Sequence, residues 1–131
     1  MLAAQPLFDA ISAAVITRRT EFVAGDLRHM AWAVATRRVM DQPLRAAISS
    51  QSIPTITECP THGLAHMAWA CAKLMFEDWP FIDAIAASAI PTMSSMQPSN
   101  MAMTAWSIAA LEFRDAPLLA SISAAARRRI T

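Results

Sequence analysis

His29, His66 and Lys73, with Asp26, Thr36, Arg37, Arg38, Asn100, Met103 and Ser107, are the side chains whose types and spacing suit contact with a nucleic acid. Asn and Asp hydrogen-bond the edges of bases, and His or Arg stacks on their faces. Arg37, Arg38, Lys73 and the run Arg127 to Arg129 stand near helix ends, where they serve either the helix dipole or a phosphate backbone. Cys59, His62 and His66 have the spacing of three zinc ligands. A fourth is lacking and His29 matches His66 in a stretch without such a cluster, so no metal is expected. The nine methionines read as core filler. No Ser or Cys has a His-and-carboxylate partnership that the periodicity described next does not already explain, so no catalytic residue and no enzyme is expected.

The candidates are positioned by a recurrence. Met-Ala-Trp-Ala occurs at Met30 to Ala33 and again at Met67 to Ala70, and Trp32, Trp69 and Trp106 follow one another at intervals of 37 residues. Pro6, Pro43, Pro80 and Pro117 keep the same interval. Each is followed by a large apolar residue (Leu7, Leu44, Phe81, Leu118) and, four positions later, by Ile11, Ile48, Ile85 or Ile122. Asp41, Asp78 and Asp115 hold an Asp-x-Pro corner that Ala4 takes in the incomplete first unit. This is a tandem repeat. The units are a half repeat over 1–22 and full repeats over 23–59, 60–96 and 97–131, together one domain.

Each unit reads as two helices. The second helix of the half repeat runs from Pro6 to about Thr17, with Pro at its first turn and Leu7, Ala10, Ile11 and Ala14 on one stripe. The first helix of a full unit spans about Asp26 to Val39, then His62 to Phe76, then Ser99 to Phe113. Apolar residues on two of its sides place it between neighbours. The corner Asp caps the second helix that follows, and Pro54 and Pro91 end or kink two of these. The fold expected is all-α, an α-solenoid of stacked two-helix repeats with about seven helices, since one unit cannot hide both apolar faces of its first helix alone. Its uncapped ends suggest an excerpt of a longer array or ends covered by a partner.

Composition narrows the partners. The chain has 131 residues, 55% of them hydrophobic, ample for a core. A net charge of +1 argues against strong sequence-independent attraction to nucleic acid or membrane. Ten of the eleven basic residues are Arg, the side chain that stacks on planar groups and forks onto phosphate. Cys59 and Cys71 form no paired motif, so no disulfide framework is expected. The charge-free run from Ala84 to Leu111 is broken by Pro91, Pro98 and Asn100 and is no membrane span. The N-terminus keeps repeat spacing at Pro6, Leu7 and Ile11 and reads as half a repeat, not a targeting peptide.

The unit Leu-x-x-Met-Ala-Trp-x-x-Ala followed by Asp-x-Pro-Leu-x-x-Ala-Ile resembles the octotricopeptide and heptatricopeptide helical repeats of organelle proteins in algae and other protists. The resemblance covers about Pro6 to Ala125. It implies an α-solenoid in a mitochondrion or plastid that binds single-stranded RNA, about one base per repeat, in transcript stabilisation, processing, translation or ribosome assembly. Members of this family also serve as protein scaffolds. It further implies that bases are read from the first helices, near their N-terminal ends.

On a helical wheel the outward line of those helices is Asp26, His29, Ala33 and Thr36, then Gly63, His66, Ala70 and Lys73, then Asn100, Met103, Ser107 and Ala110. These positions vary while the Trp and Pro frame does not. The strict repetition of Trp32, Trp69 and Trp106 points to packing between repeats, because a base-reading position should vary. Trp79 replaces Gln5, Gln42 and Ala116 of the other units and is expected to be exposed or in a partner interface. Two readings remain. The first is an RNA-binding repeat protein within a larger ribonucleoprotein; the second is a protein-protein scaffold subunit without RNA contact. Variable polar first-helix positions and the Arg bias favour RNA; near-zero charge and apolar ends favour a protein partner. RNA is the preferred of the two.

Overall fold

Proline at the start, an aspartate just before it and runs of Ala and Leu through the middle give this chain helix after helix. The computed structural model describes residues 5–18, 24–37 and 42–130, and among them there are seven α-helices and no strand. They are α1 (Gln5–Thr17), α2 (Ala24–Thr36), α3 (Gln42–Thr55), α4 (Thr61–Leu74), α5 (Trp79–Ala89), α6 (Pro98–Ala110) and α7 (Ala116–Ile130). Short 3-10 turns, Ile56–Glu58 and Ile90–Ser95, follow α3 and α5. Pro54 is accommodated in the last turn of α3 and Pro91 in the second 3-10 turn, where no long run of helical hydrogen bonds is lost.

The corners work as their residues require. The Asp78 carboxylate accepts the backbone N–H of Phe81 at 3.2 Å and that of Asp115 accepts Leu118 N–H at 3.1 Å, capping α5 and α7. Asp41 lies outside the described residues. The first helices α4 and α6 stop in the same way. Met75 and Glu112, 37 residues apart, are left-handed at φ 51° and 55°, and the N–H groups of Phe76 and Phe113 reach back to the carbonyls of Cys71 and Ile108 at 2.8 and 2.9 Å. These are Schellman caps built without the usual glycine.

Like packs on like. The first helices lie side by side in the order α2, α4, α6; the second helices run α1, α3, α5, with α7 against α5 and the 3-10 turn after it. One core, built on Leu64, Met67, Phe81, Ile85, Met93 and Met96, fills the space among α4 to α7, and a smaller one around Val15, Val34, Leu44 and Ile48 joins α1 to α4. Phe76 is covered by the Arg45 guanidinium at 5.0 Å from α3, and Phe113 is stacked by Trp79 at 6.0 Å from α5. Trp79 is thus neither fully exposed nor spare: it remains 43% exposed but uses one face to cover the aromatic that ends the next first helix.

Thr104 and Ile108 of α6, with Leu111 just after it, close over Ala68, Ile82, Ile85 and Ala89 of α4 and α5. One repeat later, the equivalent surface of α6 and α7 is an open groove of about 310 Å³ lined by Met101, Ala102, Ala105, Ile122, Ala126 and Ile130.

Candidate nucleic-acid interface

The first helices expose one stripe each, at spacings of four, three and four residues, as a single helix face demands. On α2 it is Gly25, His29, Trp32 and Thr36; on α4, His62, His66, Trp69 and Lys73; on α6, Ser99, Met103, Trp106 and Ala110. These residues occupy the same places in the three units. Trp32 is 49% exposed and Trp106 51%, with Trp69 half-buried. The expectation that the indoles pack between repeats is therefore corrected for Trp32 and Trp106, whereas Trp69 is packed against the core that joins α1 to α4. Repetition fixes the position; contact between repeats falls on the flanking Ala31, Val34, Ala70 and Leu74, which line the seam of α2 and α4.

The individual candidates fall as follows. Asp26, His29, Thr36, Arg37 and Lys73 are exposed, and His66, Asn100 and Met103 are half-buried. Arg38 lies outside the described residues. Ser107 does not reach the surface at all: it is 0% exposed and its hydroxyl donates to the Met103 carbonyl at 2.7 Å. The reason is its place in the unit. Its equivalent in α4, Ala70, is turned onto α2, and Ala33, the equivalent in α2, is exposed. Gly63, on the same wheel line as Asp26, is also buried. A Cβ there would stand 2.8 Å from Cδ of Arg28 and 2.5 Å from Sγ of Cys59, so the Arg28 side chain crosses from α2 over α4 at this residue.

Arg28 is the functional candidate that the wheel missed, because its equivalents are Ala65 and Ala102 and nothing in the repeat marks it. It brings four basic groups together. Its Nη2 lies 3.2 Å from Nε2 of His29, and the His62 and His66 rings meet edge to face at 6.0 Å. His66 is held below the usual histidine value first by partial burial and then by the charges of Arg28, His62 and His29. Further along α4, the Lys73 ammonium lies 5.9 Å from the centre of the Trp69 ring. A bound anion would offset the charge of Arg28 that disfavours protonation of His66. Arg129, by contrast, is spent within the fold, donating to the Ser94 carbonyl at 2.7 Å.

The cysteines have no place in this surface chemistry. Both are free and buried; burial pushes the Cys59 thiol up, with Arg28 opposing, and burial with the nearby Asp78 pushes Cys71 up to about 12. Among the described residues no group of three or more His, Cys, Asp or Glu is arranged to hold a metal, and no helix is long and apolar enough to cross a membrane. No protein-family model and no curated protein sequence matches the chain.

Proposed function

We propose that the chain is an α-solenoid of stacked 37-residue, two-helix repeats that binds single-stranded or structured RNA along the exposed edge of its first helices. The observation that carries this reading is the basic cluster of Arg28, His29, His62 and His66 across α2 and α4, continued by Lys73 on the same stripe of α4. Phosphates are the anions that a row of such groups along successive helices would track. The solenoid reading is supported by first helices packing on first helices, and by left-handed caps that recur at Met75 and Glu112.

The resemblance to octotricopeptide and heptatricopeptide repeats supplies the setting: a mitochondrion or plastid, and work on organelle RNA in processing, translation or ribosome assembly within a larger ribonucleoprotein. The role is binding, not catalysis. The test is titration of short single-stranded RNAs at low and moderate salt against the wild-type chain and a His29→Ala/His66→Ala/Lys73→Ala variant. Saturable binding that weakens with salt and is blunted in the variant is the expected result. Absence of binding at low salt defeats the reading.

A second reading, a scaffold subunit held by protein contacts, is favoured by the open α6–α7 groove. Its lining residues Met101, Ala102, Ala105, Ile122, Ala126 and Ile130 correspond one repeat on to Leu64, Ala65, Ala68, Ile85, Ala89 and Met93, all buried. A helix shaped like α6 is the occupant that this correspondence specifies.

A further inference from the structure

Trp32, Trp69 and Trp106 are not used by the fold in the way large aromatics normally are. A buried indole is among the largest single contributions a core receives, yet Trp32 and Trp106 are about half exposed, and Trp69, which packs one side against the core joining α1 to α4, is only half-buried. They stand at one position of the unit, on α2, α4 and α6, and these helices are neighbours in that order. With packed helices separated by about 8–10 Å, the three indoles form a row roughly 20 Å long on one edge of the molecule.

What surrounds the row selects its occupant. One turn before Trp32 and Trp69 stand His29 and His66, flanked by Arg28 and His62; one turn after Trp69 stands Lys73, its ammonium already over that ring. An apolar protein surface laid on the row would bury the charges of Arg28 and Lys73 and the polar imidazoles beside them without partners, at a cost. A strand of alternating planar bases and phosphates satisfies both sets at once. The invariance of the Trp positions also fits, because every base has a π-face and a stacking platform, unlike an edge-reading residue, has no reason to vary.

We propose that Trp32, Trp69 and Trp106 are successive stacking platforms for the bases of one RNA strand, one platform per repeat, with Arg28, His29, His62, His66 and Lys73 seating its phosphates. The inference rests on the RNA-binding reading above and assigns it to particular rings. A stacked strand advances about 3.4 Å per nucleotide, so a row of roughly 20 Å is filled by about six nucleotides.

The experiment uses the full chain carrying Trp79→Phe, which removes the one indole off the row, and labelled oligouridylates of three, six and nine nucleotides. Binding is read by anisotropy of the label and, in parallel, by indole fluorescence. Expected are quenching that saturates with the binding curve, affinity that stops rising near six nucleotides, and a loss of about tenfold or more for Trp69→Ala. Trp69→Phe retains most of the affinity, and an oligomer of abasic ribose phosphate binds far more weakly. If the chain binds oligouridylate with no quenching, and the abasic oligomer binds as well as uridylate and the Trp69→Ala and Trp106→Ala variants bind as well as the parent chain, the platforms are wrong while the RNA reading stands. If the chain carrying native tryptophans binds no RNA at low salt, both fall. Should Trp69→Ala fail to fold, the quenching and abasic measurements on the folded protein still decide.

Discussion

The hydroxyl of Ser49, on α3, donates to the carboxylate of Asp78, whose other oxygen accepts the Phe81 N–H at the start of α5. One side chain thus caps its own helix and ties it to the second helix before it. The same place one repeat on is different. Asp115 caps α7 through Leu118 N–H, but the residue equivalent to Ser49 is Ala86, which has no hydroxyl to offer.

Asp78→Ala should therefore cost more than Asp115→Ala. Loss of a cap alone is worth about 1 kcal/mol, and Asp78→Ala also orphans the buried Ser49 hydroxyl, adding about 1–2 kcal/mol. Urea denaturation of the two variants, and of Ser49→Ala with each, measures this. Coupling of about 0.5–1.5 kcal/mol between Ser49 and Asp78, and none between Ser49 and Asp115, is expected.

Left-handed Met75 and Glu112 invite glycine. Each carries a side chain where the backbone at φ 51° or 55° penalises one, so Met75→Gly and Glu112→Gly should each stabilise the chain by about 1 kcal/mol. Both residues are exposed, and little burial is lost in exchange. An unchanged or lowered melting temperature in both variants would contradict the cap geometry.

Repeat equivalence makes a paired prediction at Ala68 and Ala105, which differ by 37 residues. Ala68 is buried where α6 closes over α4, whereas Ala105 lines the open groove. Ala68→Met should destabilise by about 1–3 kcal/mol through overpacking, and Ala105→Met should be within about 0.5 kcal/mol of wild type. Equal effects would mean that α6 does not enclose Ala68 more than Ala105 is enclosed.

The unit length, the number of helices and the capping role of Asp78 and Asp115 were all legible in the sequence, because each is written in residue type and spacing. The direction in which units stack is not. A helical wheel separates faces but does not say which face a neighbouring repeat will cover, so it places Ser107 and Gly63 on an open line although Ser107 is buried and Gly63 lies under Arg28. Trp32 and Trp106 were misplaced for a related reason: an invariant aromatic is as compatible with a surface row as with a seam. The caps at Met75 and Glu112 left no glycine to betray them. Arg28 carried no repeat signature because it belongs to one unit only.

His66 gives the fold a pH signature. Its value in the folded chain lies below the ordinary 6.5, chiefly through burial and then through Arg28, His62 and His29. The unfolded chain therefore binds more protons in that window. The stability this group contributes is complete above about pH 6.5 and is lost as pH falls through the folded value. Melting temperature should fall with acidification across that range, and His66→Gln should flatten the fall. The charges facing His66 come from α2 and from α4 itself; the equivalent positions of α6 hold uncharged Ser99 and Met103. Bound RNA should raise the His66 midpoint, read from its imidazole protons by NMR.

Whether RNA lies along the first-helix edge is decided by a 15N-labelled NMR titration of the chain with a six-nucleotide single strand at low salt. Shifts are expected at the indole N–H groups of Trp32, Trp69 and Trp106 and at the backbone of His29, His62, His66 and Lys73, with α5 and the Trp79 indole unmoved. Shifts confined to the second helices or to the α6–α7 groove, or none at saturating RNA, would contradict that placement.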